Sequence, residues 1–347
     1  MNARTVNLAL QGGGAHGAIT WGVIDRLLED ERLLVDSISG ASAGAVNAVA
    51  LAYGLHKGGC EGARETLDTL WRAISRAGEN YNPVRRTPVE AAFGVYNLDN
   101  SAAYQFFDMF TRTFSPYAWN PFAFNPLRTI LERQIDFDSL AKCPKTHLYL
   151  SATNVRTGKV QVFKTKDVSV DVVMASTCLP FLFQAVEIKG ETYWDGGYMG
   201  NPVLFPFFYE AESQDIIIVH VNPIERDQVP RTSAEIVNRV NEISFNSSLL
   251  REMRAIAFVQ RLLDEGWIRD EYRDRLRKFH IHSIRSDREV ADLSIASKFS
   301  SDWDFLLELK KRGRAVAEEW LDANYASVGK RSTVDLRSMV DGGFEKD

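Results

Sequence analysis

Cysteine is scarce in this 347-residue chain, with only Cys60, Cys143 and Cys178, scattered and odd in number. That excludes a disulfide framework and metal-type cysteine spacing, and it fits a reducing compartment. A basic excess is also missing: 41 Lys and Arg stand against 46 Asp and Glu, a net charge of -5. This balance argues against a nucleic-acid binder, and attraction to anionic lipid would need a local patch. No apolar run is long enough to span a bilayer, and the N-terminus has no charged leader before an apolar stretch. Repeats and linkers are absent. Only six histidines occur, and none stands in a recognisable triad context. What remains is an ordinary globular balance, 45% hydrophobic and 25% charged. The expected location is the cytoplasm, with peripheral contact at the inner membrane face open to it.

The first sixty residues alternate strand and helix. Residues 5–10 read as a strand and lead into Gly12-Gly13-Gly14. Ile19, Val23 and Leu27, with Ile24 and Leu28 beside them, then repeat at helical spacing. A second strand spans 34–39, and a small-residue helix follows from 43 to about 55. This βαβα start predicts a parallel sheet with helices on its faces. Residues 93–124 are crowded with aromatics, from Phe93 through Phe107, Phe110, Trp119 and Phe122 to Phe124, and are interrupted by Pro116 and Pro121. Strands return at 147–153 and 159–163. A helix is expected at 168–177, a hairpin at 185–194, and a buried parallel strand at 215–221. The last third is mostly helical apart from a short strand at 279–284. One domain is expected over 1–325, with an aromatic-rich cap or lid at 93–126. The segment 326–347 reads as a polar, frayed tail.

Three short segments can carry chemistry. Gly40-Ala41-Ser42-Ala43-Gly44 places a serine at a strand-to-helix junction, where a sharp turn lifts the hydroxyl off the sheet edge. The helix beginning at Ala43 aims its free N–H groups at a developing oxyanion. The alternative is a serine N-cap between packing glycines. Gly12, Gly13 and Gly14 end the first strand at the same carboxyl edge, and with the N–H of Ala43 they are candidate oxyanion donors. Gly12, Gly14 and Gly17 also satisfy a dinucleotide fingerprint with Asp36 downstream, but the serine turn occupies the strand end that a ribose would need. As base for Ser42, Asp195 in Asp195-Gly196-Gly197 ends the hairpin strand beside Tyr193 and Trp194. A histidine triad through His282 is the competing assignment. The copy Asp341-Gly342-Gly343 has no strand before it and reads as unstructured.

Taken in order, Gly12-Gly13-Gly14-Ala15-His16-Gly17, Gly40-Ala41-Ser42-Ala43-Gly44 and Asp195-Gly196-Gly197 resemble the three motifs of patatin-like phospholipases. Asn125-Pro126-Leu127-Arg128, Ala152-Thr153-Asn154-Val155, Ala175-Ser176 with Leu179-Pro180, and Asn201-Pro202 resemble further segments of bacterial members, and the likeness runs from about residue 5 to 325. The resemblance implies a three-layer α/β/α fold with a mostly parallel central sheet. It also implies a Ser42–Asp195 dyad without histidine, and no cofactor or metal is expected. The implied activity is a phospholipase A or lysophospholipase acting on membrane phospholipid through an acyl-enzyme. Acyl transfer or thioester hydrolysis on the same site, a non-catalytic lipid-binding or regulatory protein, and a dinucleotide-binding reductase are the alternatives. Within the aromatic stretch, Phe107, Phe110, Trp119 and Phe122 are the candidate substrate contacts. His16 stands where the family often has Arg or Lys, which makes the local positive charge dependent on pH.

Overall fold

The computed structural model describes residues 3–87, 90, 95–99, 101–143, 146–269, 271 and 276–336. The apolar runs pair into an eight-stranded sheet built from β1 (Arg4–Leu10), β2 (Leu33–Gly40), β3 (His147–Asn154), β4 (Val160–Lys164), β5 (Val186–Ile188), β6 (Glu191–Asp195), β7 (Asp215–His220) and β8 (His280–Arg285). The order is β5-β6-β3-β2-β1-β7-β8, with β4 paired to the edge of β3 opposite β2 and β6. The β3-β2-β1-β7-β8 block is parallel, while β4, β5 and β6 pair antiparallel. The sheet is therefore mixed and largely parallel.

Burial on both faces explains the run of isoleucines in β7. Ile217 and Val219 enter one core, while Ile216 and Ile218 enter the other, all fully buried. The first core holds α1 (Gly17–Asp30), α2 (Ala43–Tyr81), α7 (Val170–Ser176) and α10 (Trp303–Asn324). The second holds α8 (Phe205–Glu210) and α9 (Ser233–Asp264), through Phe207, Leu249, Met253 and Ile256. The three layers expected for the fold are thus present. A Thr232–Glu235 capping box starts α9.

Between α2 and β3 in the chain come α3 (Ala102–Thr113), α4 (Pro116–Trp119), α5 (Pro126–Gln134) and α6 (Phe137–Ala141), of which α5 and α6 bury Leu131 and Leu140 in the first core. Helical structure after Ser42 goes well past residue 55, as far as Tyr81. Gly58 and Gly59 take non-helical angles within it, and the chain folds back so that Gly54 touches Ala63. The second limb buries Leu67, Leu70 and Trp71 against the core, which local periodicity after the glycine break did not reveal. The expected fraying from residue 326 is overturned as far as 336. Val328 and Leu336 are buried, Gly329 N–H donates to Asp215 Oδ1 (2.7 Å), and Thr333 N–H donates to the Ile281 carbonyl. The Asp341 copy of the aspartate motif and Phe93 lie outside the described residues.

Candidate active site

Register brings the three motifs together. Leu10 pairs with Gly40, so the glycine loop and the Ser42 turn leave the sheet at one carboxyl edge. Leu150 of β3 pairs with Gly40, and two residues further on Ala152 pairs with Asp195. Asp195 therefore arrives at that edge from an antiparallel strand. Its backbone is held from several sides: its N–H donates to the Cys178 carbonyl (2.8 Å), and its carbonyl accepts from Thr153 Oγ1 (2.8 Å).

Ser42 sits at φ 54°, ψ −127°, a region costly for a residue with a Cβ and typical of a serine held on a tight elbow. Its N–H is engaged by the carbonyl and hydroxyl of Ser176, at 3.1 and 3.0 Å. α2 begins at the next residue, and the Ala43 N–H has no protein acceptor among the described residues. A side chain at position 12 would lie 2.6 Å from both Ser42 Cβ and the Ala41 carbonyl oxygen, so glycine is needed for the loop to approach the serine. Gly14 sits at φ +59°, in left-handed backbone.

One sequence expectation needs correction. The Gly12 N–H is not free, because it donates to Asn201 Oδ1 at 2.7 Å. A donor so engaged is unavailable to an oxyanion, which leaves Gly13, Gly14 and Ala43 as the candidates. The N–H groups of Gly13 and Gly14 have no protein acceptor among the described residues.

Asp195 is fully buried. Oδ1 accepts the Gly197 N–H at 2.7 Å, while Oδ2 has no hydrogen-bond partner of ordinary geometry. Burial pushes the carboxyl up to about 7, against the opposing pull of the Gly197 N–H and the Ser42 hydroxyl. Ser42 thus lies close enough to influence the carboxylate without a well-formed hydrogen bond to it.

None of the six histidines is hydrogen-bonded to Ser42 or Asp195. His282 Nε2 bonds Asp215 Oδ1 (2.9 Å), and His220 Nε2 bonds Ser283 Oγ (2.8 Å). His16 is buried against Ser297 Oγ (2.8 Å). Burial, reinforced by Lys298, Arg226 and Arg312, holds its pKa well below the ordinary histidine value. The glycine motif therefore carries no charge at position 16 at neutral pH. Asp36 is the extra residue of a bulge between β1 and β2, and its carboxylate accepts the Glu212 N–H (3.0 Å). Among the described residues no cluster of three or more His, Cys, Asp or Glu side chains is arranged to hold a metal ion.

The aromatic candidates divide. Phe107 packs on Phe299 (6.0 Å between centroids) in a small cluster with Val84 and Leu98. Phe110 meets Phe114 and Trp119. Phe122 is 93% exposed, and Phe106, Phe114, Tyr117 and Phe124 are more than half exposed. This surface is tied to the loop before β5, where Gln184 Nε2 donates to the Asn120 carbonyl (2.8 Å) and Ala185 N–H to Tyr117 Oη (3.2 Å).

A polar network behind the glycine loop was not legible in the sequence. Gln11 Oε1 accepts the N–H groups of Val221 and Asn222, Gln11 Nε2 donates to Asn246 Oδ1, and Asn222 Nδ2 donates to the Gly12 carbonyl. Scattered amides give no periodic signal, and only the fold converges them.

Residues 8–208, more than half of the chain and inclusive of all three motifs, match the family model described as Patatin-like phospholipase. No curated protein matches. Among solved structures, VipD from Legionella pneumophila is 17% identical, with 91% of this chain and 66% of that one covered and a TM-score of 0.43. The heterodimeric ExoU–SpcU complex from the type III secretion system of Pseudomonas aeruginosa is also 17% identical, with 93% and 52% covered and a TM-score of 0.35. The chain spans less than two thirds of the length of these structures.

Proposed function

This chain belongs to the patatin-like phospholipase family, and on that premise we propose that it hydrolyses fatty-acyl esters of phospholipid or lysophospholipid through Ser42 and Asp195. The observation that carries the reading is a strained serine beside a fully buried carboxylate whose pKa burial raises to about 7. A carboxylate near its ordinary value is too weak a base for a serine hydroxyl, and one titrating near neutrality is matched to proton transfer at that pH. Ser42 Oγ attacks the ester carbonyl carbon while its proton passes to Asp195. The carbonyl electrons move onto oxygen, which the N–H groups of Gly13, Gly14 and Ala43 stabilise. Collapse breaks the ester C–O bond, and the leaving alcohol takes the proton from Asp195. Water then attacks the acyl-enzyme by the same route, with Asp195 again the base, and releases the fatty acid. The exposed rings around Phe122 are the proposed contact with the membrane that holds the substrate, since such rings settle well at a lipid–water boundary. Among the described residues no helix is long and apolar enough to cross a membrane.

The test is covalent labelling with a fluorophosphonate, the adduct being located by mass spectrometry. Labelling at Ser42 is expected, absent in Ser42→Ala and lowered about a hundredfold or more in Asp195→Asn. A folded wild-type protein that labels elsewhere, or an Asp195→Asn variant that labels at full rate, contradicts the reading.

A further inference from the structure

The short turn Ala296–Phe299 docks on the glycine loop. Ser297 Oγ meets His16, and a Cβ on Gly14 would lie 2.5 Å from the Lys298 carbonyl oxygen. The side chain of Lys298 continues inward behind the loop. Its Nζ donates to Asn222 Oδ1 (2.8 Å) and Asn241 Oδ1 (2.9 Å), and lies 5.4 Å from the centre of the Phe245 ring, whose edge rests against Gly197.

Both acceptors are neutral amides. The nearby carboxylate, Glu242 on α9, is itself held by Arg226 and Arg239. Lys298 is part-buried, and an ammonium drawn out of water without a bonded carboxylate costs stability. Burial lowers the Lys298 pKa to about 8, with Glu242 pulling it up and Arg226 pulling it down. His16 on the glycine loop also faces it, and Arg312 of α10 helps keep that imidazole neutral.

The line from Nζ leads to the reacting centre. Asn222 accepts from Lys298 through Oδ1 and donates through Nδ2 to the Gly12 carbonyl (2.7 Å). In a trans peptide the C=O and the following N–H point in opposite directions. Holding the Gly12 carbonyl from behind therefore turns the Gly13 N–H the other way. Asn201 fixes the preceding peptide through the Gly12 N–H. A charge at the far end polarises the whole chain of bonds and makes the Gly13 N–H a better donor.

We propose that Lys298 is a positioning residue for acyl transfer: its ammonium, relayed by the Asn222 amide, orients and polarises the Gly12–Gly13 peptide so that the Gly13 N–H receives the oxyanion. This rests on the reading of Ser42 as the nucleophile. Reaction then requires Asp195 ionised and Lys298 protonated together, so the rate rises near pH 7 and falls again near pH 8.

The experiment is the rate of fluorophosphonate labelling from about pH 6 to about pH 10, with folding followed by circular dichroism at each pH. Wild type should show the falling limb. Lys298→Met should label about tenfold more slowly at the optimum and lose that limb. Lys298→Arg, which stays charged, should recover most of the rate and also lack the limb. If Lys298→Arg does not fold, Lys298→Met decides alone. Asn222→Ala should lower the rate in wild type but add little in Lys298→Met, because the two act as one relay. A wild-type rate that stays flat above pH 8, or a Lys298→Met variant that keeps the limb in place, overturns the proposal. A purely structural lysine would change the rate without moving the limb. If Ser42 itself fails to label, the nucleophile assignment has failed and not the lysine alone.

Discussion

Asp195→Asn should stabilise the protein while disabling it, and the gain should depend on pH. A carboxyl that titrates near 3.8 in the unfolded chain titrates near 7 when buried here. The folded state therefore holds a proton between about pH 4 and about pH 7 that the unfolded state has released, and stability falls as pH rises through that window. Above it the buried ionised group costs up to about 4 kcal/mol, since each tenfold change in proton affinity is worth about 1.4 kcal/mol. Asparagine keeps the shape and can still accept the Gly197 N–H through its oxygen, but it carries no charge. The variant should gain little Tm over wild type near pH 4 and several degrees near pH 8, measured by thermal unfolding of both proteins side by side. Other titrating groups, such as Glu252, which burial raises to about 7, are common to both proteins and cancel in the difference. An equal Tm difference at the two pH values, or a loss at pH 8, would refute the claim that Asp195 is a buried carboxylate held at a cost.

Gly313→Ala should lower Tm, because its Cβ would come within 2.1 Å of the Ile19 carbonyl oxygen where α10 crosses α1. Overpacking costs about 1–3 kcal/mol and outweighs the roughly 1 kcal/mol that alanine gains in helix propensity; a raised Tm would show that the helices part easily. Gly14→Ala combines left-handed backbone with a contact at 2.5 Å to the Lys298 carbonyl oxygen, so it should slow Ser42 labelling more than it lowers Tm. The double change Trp119→Gln, Phe122→Ser should leave labelling by a small soluble probe intact while weakening sedimentation with phosphatidylcholine vesicles by at least roughly tenfold, from about 1.5–3 kcal/mol for each large apolar side chain that leaves a buried setting. Unchanged sedimentation of the folded variant would remove the aromatic surface from the membrane contact.

The local signals that proved legible share one property, that their physics acts over a few residues. The serine turn could be read because Gly40 and Gly44 bracket Ser42 just where a strand pattern gives way to a helical one. The hairpin ending at Asp195 could be read because Lys189-Gly190 interrupts an alternating run. β7 announced its burial through consecutive isoleucines, which only a strand covered on both faces tolerates. The order of the elements along the chain, and with it a mostly parallel sheet, follows from such signals.

What the tertiary structure alone decided depends on residues that meet across long stretches of chain. The Gly12 N–H is lost as a donor to Asn201, which stands 189 residues away. The second limb of α2 and the packing of residues 328–336 appear only when partners from the core are present. The basicity of Asp195 is a consequence of its complete burial, and no neighbour in sequence dictates that. Lys298 lies in a segment with no recognisable motif, and its link to the glycine loop exists because the loop after β7 delivers Asn222, α9 delivers Asn241 and the sheet edge delivers Gly12 to one place. Local periodicity reports which face of an element is apolar. Which polar groups end up facing each other, and in what dielectric, is set only when the layers close.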